Sequence, residues 1–149
     1  MTGRADGATL RISLDTTELD VAGIHKYLSE ETYWARGLSR AVFDKALQHS
    51  LCFGGYLDDI QVAFARVVTD RATFANLKDV FVFPAYRGRG YGIAVVQAVM
   101  THPDLLHVLF TLGTNDAHGL YERFGFVRQR GSETAMFRPG SFIPREMSC

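Results

Sequence analysis

The hydrophobic pattern between Leu51 and Met100 changes period once, and a glycine-rich turn marks the change. Leu51 to Leu57, Ile60 to Thr69 and Phe74 to Phe83 are apolar runs joined by the short polar turns Asp58-Asp59 and Asp70 to Ala72. Runs of this kind, joined this tightly, form an antiparallel meander. Pro84 ends it, because proline brings no donor to a ladder. Arg87-Gly88-Arg89-Gly90-Tyr91-Gly92 follows, and Ile93, Val96, Val99 and Met100 then recur at helical spacing. A helix start leaves N–H groups without intrahelical partners, at the positive end of the helix dipole. Glycines let that backbone approach an anion. The junction therefore predicts a pyrophosphate cradle on Gly88, Gly90, Tyr91 and Gly92, with Arg87 and Arg89 adding charge at its rim. The blander reading is a helix entrance that uses glycines for conformation and arginines for solubility. A nucleotide P-loop is excluded, since no Gly-Lys-Ser/Thr follows, and a dinucleotide fingerprint fits poorly, since its third glycine falls on Ile93.

Around this junction the pattern reads as one domain, 1–149, with a core of about 10–138 and a tail, 139–149, that carries few signals. Leu10 to Leu14 alternates as a short strand. Asp15 and Thr16 can cap a helix carrying Val21, Ile24 and Leu28 on one face, and Ser39 a second with Val42, Phe43, Ala46 and Leu47. After the glycine turn and its helix, His102-Pro103 stops the helix and His107 to Leu112 is an apolar strand. His118 to Phe124 is a short helix ended by Gly125, Phe126 to Arg130 a strand, and Ala135 to Phe137 a last one. The net charge of +0 gives no electrostatic reason to expect a nucleic acid or membrane partner. No apolar run approaches the roughly 20 residues of a membrane span, and Met1 to Asp15 has no signal-peptide core. Two cysteines, Cys52 in an apolar run and Cys149 at the last position, make no disulfide framework. A cytoplasmic protein is expected. His25, His49, His102 and His107 lack metal-ligand spacing, so no metal is expected. No Gly-x-Ser-x-Gly elbow supports serine-based acyl transfer.

Two motifs carry a family resemblance. Arg87, Gly90 and Gly92 match the Arg/Gln-x-x-Gly-x-Gly spacing of the acyl-CoA pyrophosphate loop in GNAT acetyltransferases, and Asp79 to Pro84 looks like the strand before it. Ala117-His118-Gly119-Leu120-Tyr121-Glu122-Arg123-Phe124-Gly125-Phe126 resembles that family's Ala-x-x-Leu-Tyr-x-x-x-Gly-Phe signature, one helix and one strand downstream. The resemblance covers roughly Leu10 to Arg130. It implies the α/β (α+β) GNAT fold, a mixed central sheet of about six or seven strands with a splayed parallel pair, flanked by about four helices.

The resemblance also implies an acetyl-CoA-dependent N-acyltransferase, with acetyl-CoA as co-substrate and direct attack by an amine. The pantetheine arm would lie between the strands ending near Phe83 and Leu112, pairing with main-chain groups of Phe81, Val82 and Phe83. An N–H near Val80 or Phe81 would polarise the thioester carbonyl. Tyr121 matches the family tyrosine that donates to the departing sulfur; the other reading packs it under Phe126. Asp79 is the candidate base: alternation puts it with Leu77, Phe81 and Phe83 on an apolar face, where a carboxyl pKa rises. A structural carboxylate is the alternative. His118 is a second candidate base or a capping histidine. Many members carry an asparagine seven residues before the tyrosine to bond the CoA arm; here that position is Thr114, with Asn115 next. Glu30 to Arg40 would roof the acceptor, with Tyr33 and Trp34 as stacking faces and Arg36 as a carboxylate partner. A small-molecule amine is the expected acceptor. Protein acetylation and a non-catalytic acyl-CoA sensor are the alternatives, and a homodimer is compatible with the family.

Overall fold

In the computed structural model, which describes residues 9–141, the three apolar runs become β2 (Leu51–Leu57), β3 (Ile60–Thr69) and β4 (Phe74–Val82) of a seven-stranded sheet. The other strands are β1 (Arg11–Ser13), β5 (Leu109–Gly113), β6 (Val127–Arg128) and β7 (Ala135–Arg138). The spatial order is β1-β2-β3-β4-β5-β7-β6. Neighbours are antiparallel except β4 and β5, which run parallel. Four helices flank the sheet: α1 (Val21–Glu31), α2 (Arg40–Gln48), α3 (Tyr91–Thr101) and α4 (His118–Glu122). Cys149 and the tail beyond Ser141 lie outside the described residues.

Capping follows the sequence with one shift. Ser39 accepts from the Val42 N–H at the start of α2, as its position predicts. Asp15, however, caps only a short 3₁₀ turn, Thr16–Glu18. Asp20 starts α1, accepting from the Gly23 N–H. The strand expected from Phe126 to Arg130 shortens to Val127–Arg128, which pair with Phe137 and Met136 of β7. The apolar strand after α3 starts at Leu109 rather than His107, since Pro103–Leu105 forms a 3₁₀ turn.

The core has two parts, one on each sheet face. On the first face α3 packs Val95, Val96 and Val99 against Ala63, Ala65 and Val67 of β3. On the second, Ile24 and Leu28 of α1 and Phe43 of α2 cover Cys52, Phe64 and Phe81. A bulge in β4 links them. Phe81 opposes Phe64, and Lys78 opposes Arg66, so Asp79 and Val80 together face the single residue Ala65. The extra residue switches the phase of the strand. Leu77, Val80 and Val82 join the first face, whereas Phe81 and Phe83 join the second. Simple alternation, which would put Leu77 and Phe81 together, is thus corrected by the bulge. Asp79 itself takes φ +54, a backbone region Asp tolerates better than most side chains.

Tyr56 is a stability lever. Its ring sits over Gly54, where an added Cβ would lie 2.5 Å from the phenol oxygen, and under the Arg11 guanidinium, 4.7 Å from the ring centre. Among the described residues its buried hydroxyl has no hydrogen-bond partner. An unmade buried bond costs more than a missing group. Tyr56→Phe is therefore expected to raise stability by about 1 kcal/mol, a Tm gain of a few degrees by calorimetry. A loss of stability would mean the hydroxyl is satisfied.

Burial also sets the alkaline behaviour. It pushes the Cys52 thiol up to about 11 and the Tyr56 and Tyr121 phenols up to about 12. The folded chain then holds these protons more tightly than the unfolded one. The stabilisation is complete below the ordinary thiol and phenol values and is lost as pH climbs from about 9 through about 12. Tm should stay level from pH 7 to 9 and fall steeply above it; a flat profile to pH 11 contradicts this.

Candidate functional site

The glycine turn is built as an open cradle. Gly88 and Gly90 take φ +81 and +83, a region that glycine enters without steric cost. No atom lies within 4 Å of the place a Cβ would occupy at either position. Gly90 is the N-cap of α3 and supplies no side-chain cap, unlike Asp20 and Ser39 in α1 and α2. The first intrahelical bond runs from the Ala94 N–H to the Gly90 carbonyl at 3.1 Å. The N–H groups of Tyr91, Gly92 and Ile93 therefore have no partner within the helix. They point, with the helix dipole, toward an open surface suited to a diphosphate.

Arg87 is more constrained than a rim charge. Its Nε donates to the Val82 carbonyl at 3.1 Å, its Nη2 donates to the Tyr27 hydroxyl, and its guanidinium lies 5.8 Å from the Tyr27 ring centre. Tyr27 in turn stacks on Phe81 at 4.4 Å. The arginine thus ties the glycine turn to α1 and to the end of β4. Arg89 stands outside, 6.0 Å over the Tyr86 ring.

A fork opens beside the cradle. β4 and β5 pair from Phe74 and Leu109 as far as Asn76 and Thr111, where Asn76 Nδ2 donates to Thr111 Oγ1 at 2.7 Å. Past that rung Leu112 and Gly113 keep their β7 partners on the other edge but have none on β4. On the other side, the Phe83 N–H donates to the Val62 carbonyl at 2.9 Å, so Phe83, and Phe81 by alternation, commit their backbone to β3. Val80 and Val82 turn theirs toward the fork. Of the three residues expected to bond a pantetheine arm, Val82 faces the fork, while Phe81 and Phe83 contribute through their side chains on the second face.

Tyr121 stands on α4 beyond the fork, nearly buried and packed edge-on against Phe126 at 6.0 Å. Among the described residues nothing hydrogen-bonds its hydroxyl. Burial first, then the charges of Asp116 and Tyr33, push the phenol up to about 12. The group is thus a standing donor at neutral pH, and the Tyr33 phenol lies within its electrostatic reach. Thr114 is buried and its hydroxyl accepts from the Ala117 N–H at 3.0 Å, capping the turn into α4. Asn115 beside it is exposed. His118 is held to the Glu133 carbonyl through Nε2 at 2.9 Å.

The roof is the segment between α1 and α2. Tyr33 and Trp34 are 57% and 45% exposed and meet edge-to-face at 5.0 Å; Arg36 is exposed. Asp79 does not lie on a bare apolar face: Arg66 Nε and Trp34 Nε1 both donate to its carboxylate. Arg66 and Tyr27 are the residues that sequence reading missed. A lone arginine inside the apolar run Val62 to Val68, and a tyrosine three residues after Ile24, were their only signals. Among the described residues no cluster of His, Cys, Asp or Glu fits a metal ion, and no helix is long and apolar enough to cross a membrane.

Comparison with known proteins agrees with this geometry. Residues 48–128 match the Acetyltransferase (GNAT) domain. A candidate acetyltransferase of Gibberella zeae is 30% identical over 142 residues, covering 80% of this chain and 80% of that protein. The crystal structure of a GNAT-family protein from Xanthomonas campestris pv. campestris has a TM-score of 0.80 at 52% identity, covering 82% of this chain and 87% of that one. A Mycobacterium tuberculosis protein solved in complex with CoA has a TM-score of 0.66 at 18% identity, covering 82% of this chain and 74% of that one, a likeness of fold.

Proposed function

Because the chain belongs to the GNAT acetyltransferase family, we propose that it transfers an acetyl group from acetyl-CoA to a primary amine of a small-molecule acceptor, by direct attack in a ternary complex. The observation that carries this reading is the uncapped, glycine-lined start of α3 opening onto the β4–β5 fork. A Cβ at Gly88 or Gly90 would project into that cradle, and the free N–H groups of Tyr91, Gly92 and Ile93 suit a diphosphate. Acetyl-CoA, when bound, would supply the thioester whose C–S bond breaks as the neutral amine nitrogen forms the new C–N bond; the nitrogen's surplus proton leaves to solvent and the CoA sulfur departs as the thiolate, protonated to the thiol.

The chain's own groups divide the remaining work. The outward backbone of Val80 and Val82 adds a strand-like rung for amides, and a Val80 N–H is the donor closest to the bulge for a developing oxyanion. Tyr121 donates to the departing sulfur. Burial pushes the Tyr121 phenol up to about 12, a weaker acid than a free thiol, so it stabilises the departing thiolate as a hydrogen-bond donor rather than by giving its proton up completely. Tyr33 and Trp34 offer aromatic faces to a flat or apolar amine. The net charge of zero adds no pull on a basic protein segment.

Thiol release from acetyl-CoA, measured against a panel of arylamines, amino acids, polyamines and aminoglycosides, tests the reading. Turnover on one class supports it and names that class. Binding of acetyl-CoA without release on any amine or peptide would leave a sensor instead.

A further inference from the structure

The acceptor roof is fastened to the sheet through one carboxylate. Trp34 Nε1 donates to Asp79 Oδ1 at 2.9 Å. Arg66 Nε donates to Asp79 Oδ2 at 2.8 Å, the two side chains being 13% and 7% exposed. Arg66 Nη1 then donates to Ser50 Oγ at 3.0 Å, and Ser50 Oγ to the Ala46 carbonyl at 2.7 Å. The network thus joins the end of α2, β3, the β4 bulge and the roof. The roof is otherwise bonded to itself and to α1: Thr32 Oγ1 accepts from the Ala35 N–H at 3.2 Å, and His25 Nε2 of α1 bonds the Leu38 carbonyl at 2.7 Å. Its aromatic tip has the Asp79 bond as its tie to β4.

Two features show what this carboxylate does. Its position is forced: Asp79 is the bulge residue at φ +54, and such a conformation persists where the surroundings over-determine it. Its two oxygens are both engaged, one by a charged donor. The mostly buried Arg66 guanidinium has this carboxylate as its counter-charge. A group with both oxygens occupied in this way is an anchor.

We propose that Asp79 is a positioning residue for the acceptor. With one oxygen bonded by Arg66 and the other by Trp34, it fixes the Trp34 indole, and with it Tyr33, over the fork next to Tyr121; it does not take the acceptor's proton. The kinetic part of this inference rests on the acyl-transfer reading above, whereas the anchoring part does not.

Trp34 is the chain's one tryptophan, so its emission reports on the roof alone. Asp79→Asn keeps its one acceptor oxygen for the charged Arg66 guanidinium, which turns the amide NH2 toward the Trp34 N–H and breaks that bond. Without any substrate, that variant should show red-shifted Trp34 emission and stronger acrylamide quenching than the parent. Where a turnover assay exists, it should keep the parent's kcat–pH profile. Trp34→Phe preserves the ion pair and an aromatic ring and removes the N–H together with the pyrrole half of the indole, so it tests the same anchor even if Asp79→Asn folds poorly. It should raise the acceptor KM roughly tenfold, with kcat within about threefold and the acetyl-CoA KM unchanged. The proposal is overturned by unchanged emission and quenching in Asp79→Asn. It is equally overturned by an unchanged acceptor KM in Trp34→Phe, or by a kcat loss above about a hundredfold in Asp79→Asn at constant acceptor KM, the mark of a general base. If no amine is turned over, the acyl-transfer reading fails, and the quenching result still decides the anchor.

Discussion

Tyr121→Phe should lower kcat by about a hundredfold or more and leave acetyl-CoA affinity unchanged. The substitution removes one oxygen from a nearly buried ring that packs against Phe126. Among the described residues that oxygen bonds nothing, so the fold loses no hydrogen bond, and stability should hold or rise slightly. What disappears is a donor that burial keeps protonated, its pKa pushed up to about 12. A donor needed only as the sulfur leaves acts on the transition state, so its loss appears in kcat and not in ground-state affinity. For the same reason Tyr121 contributes no break to the parent's pH–rate profile between pH 6 and 10. Steady-state kinetics paired with calorimetry on the variant measures this. Full activity would return Tyr121 to a packing role.

Gly90→Val should weaken acetyl-CoA binding by about a hundredfold or more while leaving the protein folded. Two effects add. At φ +83 a β-branched side chain is strained, so the α3 start must shift or bear a cost of about 1–2 kcal/mol. The branch also projects into the open space above the free N–H groups, where no atom now lies within 4 Å. The ligand loses both the approach and the donor geometry. The fold has less to lose, because that space is outside the core: the side chains α3 buries begin at Tyr91 and continue through Val95, Val96, Val99 and Met100. Calorimetric titration together with a thermal melt separates the two effects. Normal binding in Gly90→Val would place the diphosphate elsewhere.

Much of this was legible in the chain, and the misses share one cause. The meander, the glycine junction and Ser39 as a cap are local features, set by residues adjacent in sequence, and they appear where the pattern put them. The β4 bulge is not local. Asp79-Val80 opposing Ala65 depends on how β3 and β4 fit each other. The period-2 reading therefore put Leu77 and Phe81 on one face. The Asp79 environment was misread for the same reason: its partners Trp34 and Arg66 lie 45 and 13 residues away. Thr114 was legible as a substitution at a family position but not as a cap, because the Ala117 N–H it accepts belongs to a turn that only the fold defines. Long-range partnership, not composition, is what a single sequence conceals here.

Titration of acetyl-CoA into the full chain by calorimetry tests the central claim most directly. The cradle and fork predict saturable one-to-one binding in the micromolar range, competed by CoA and abolished by Gly90→Val. No measurable binding in the parent, or binding that Gly90→Val leaves intact, would contradict the assignment of the α3 start as the acetyl-CoA site.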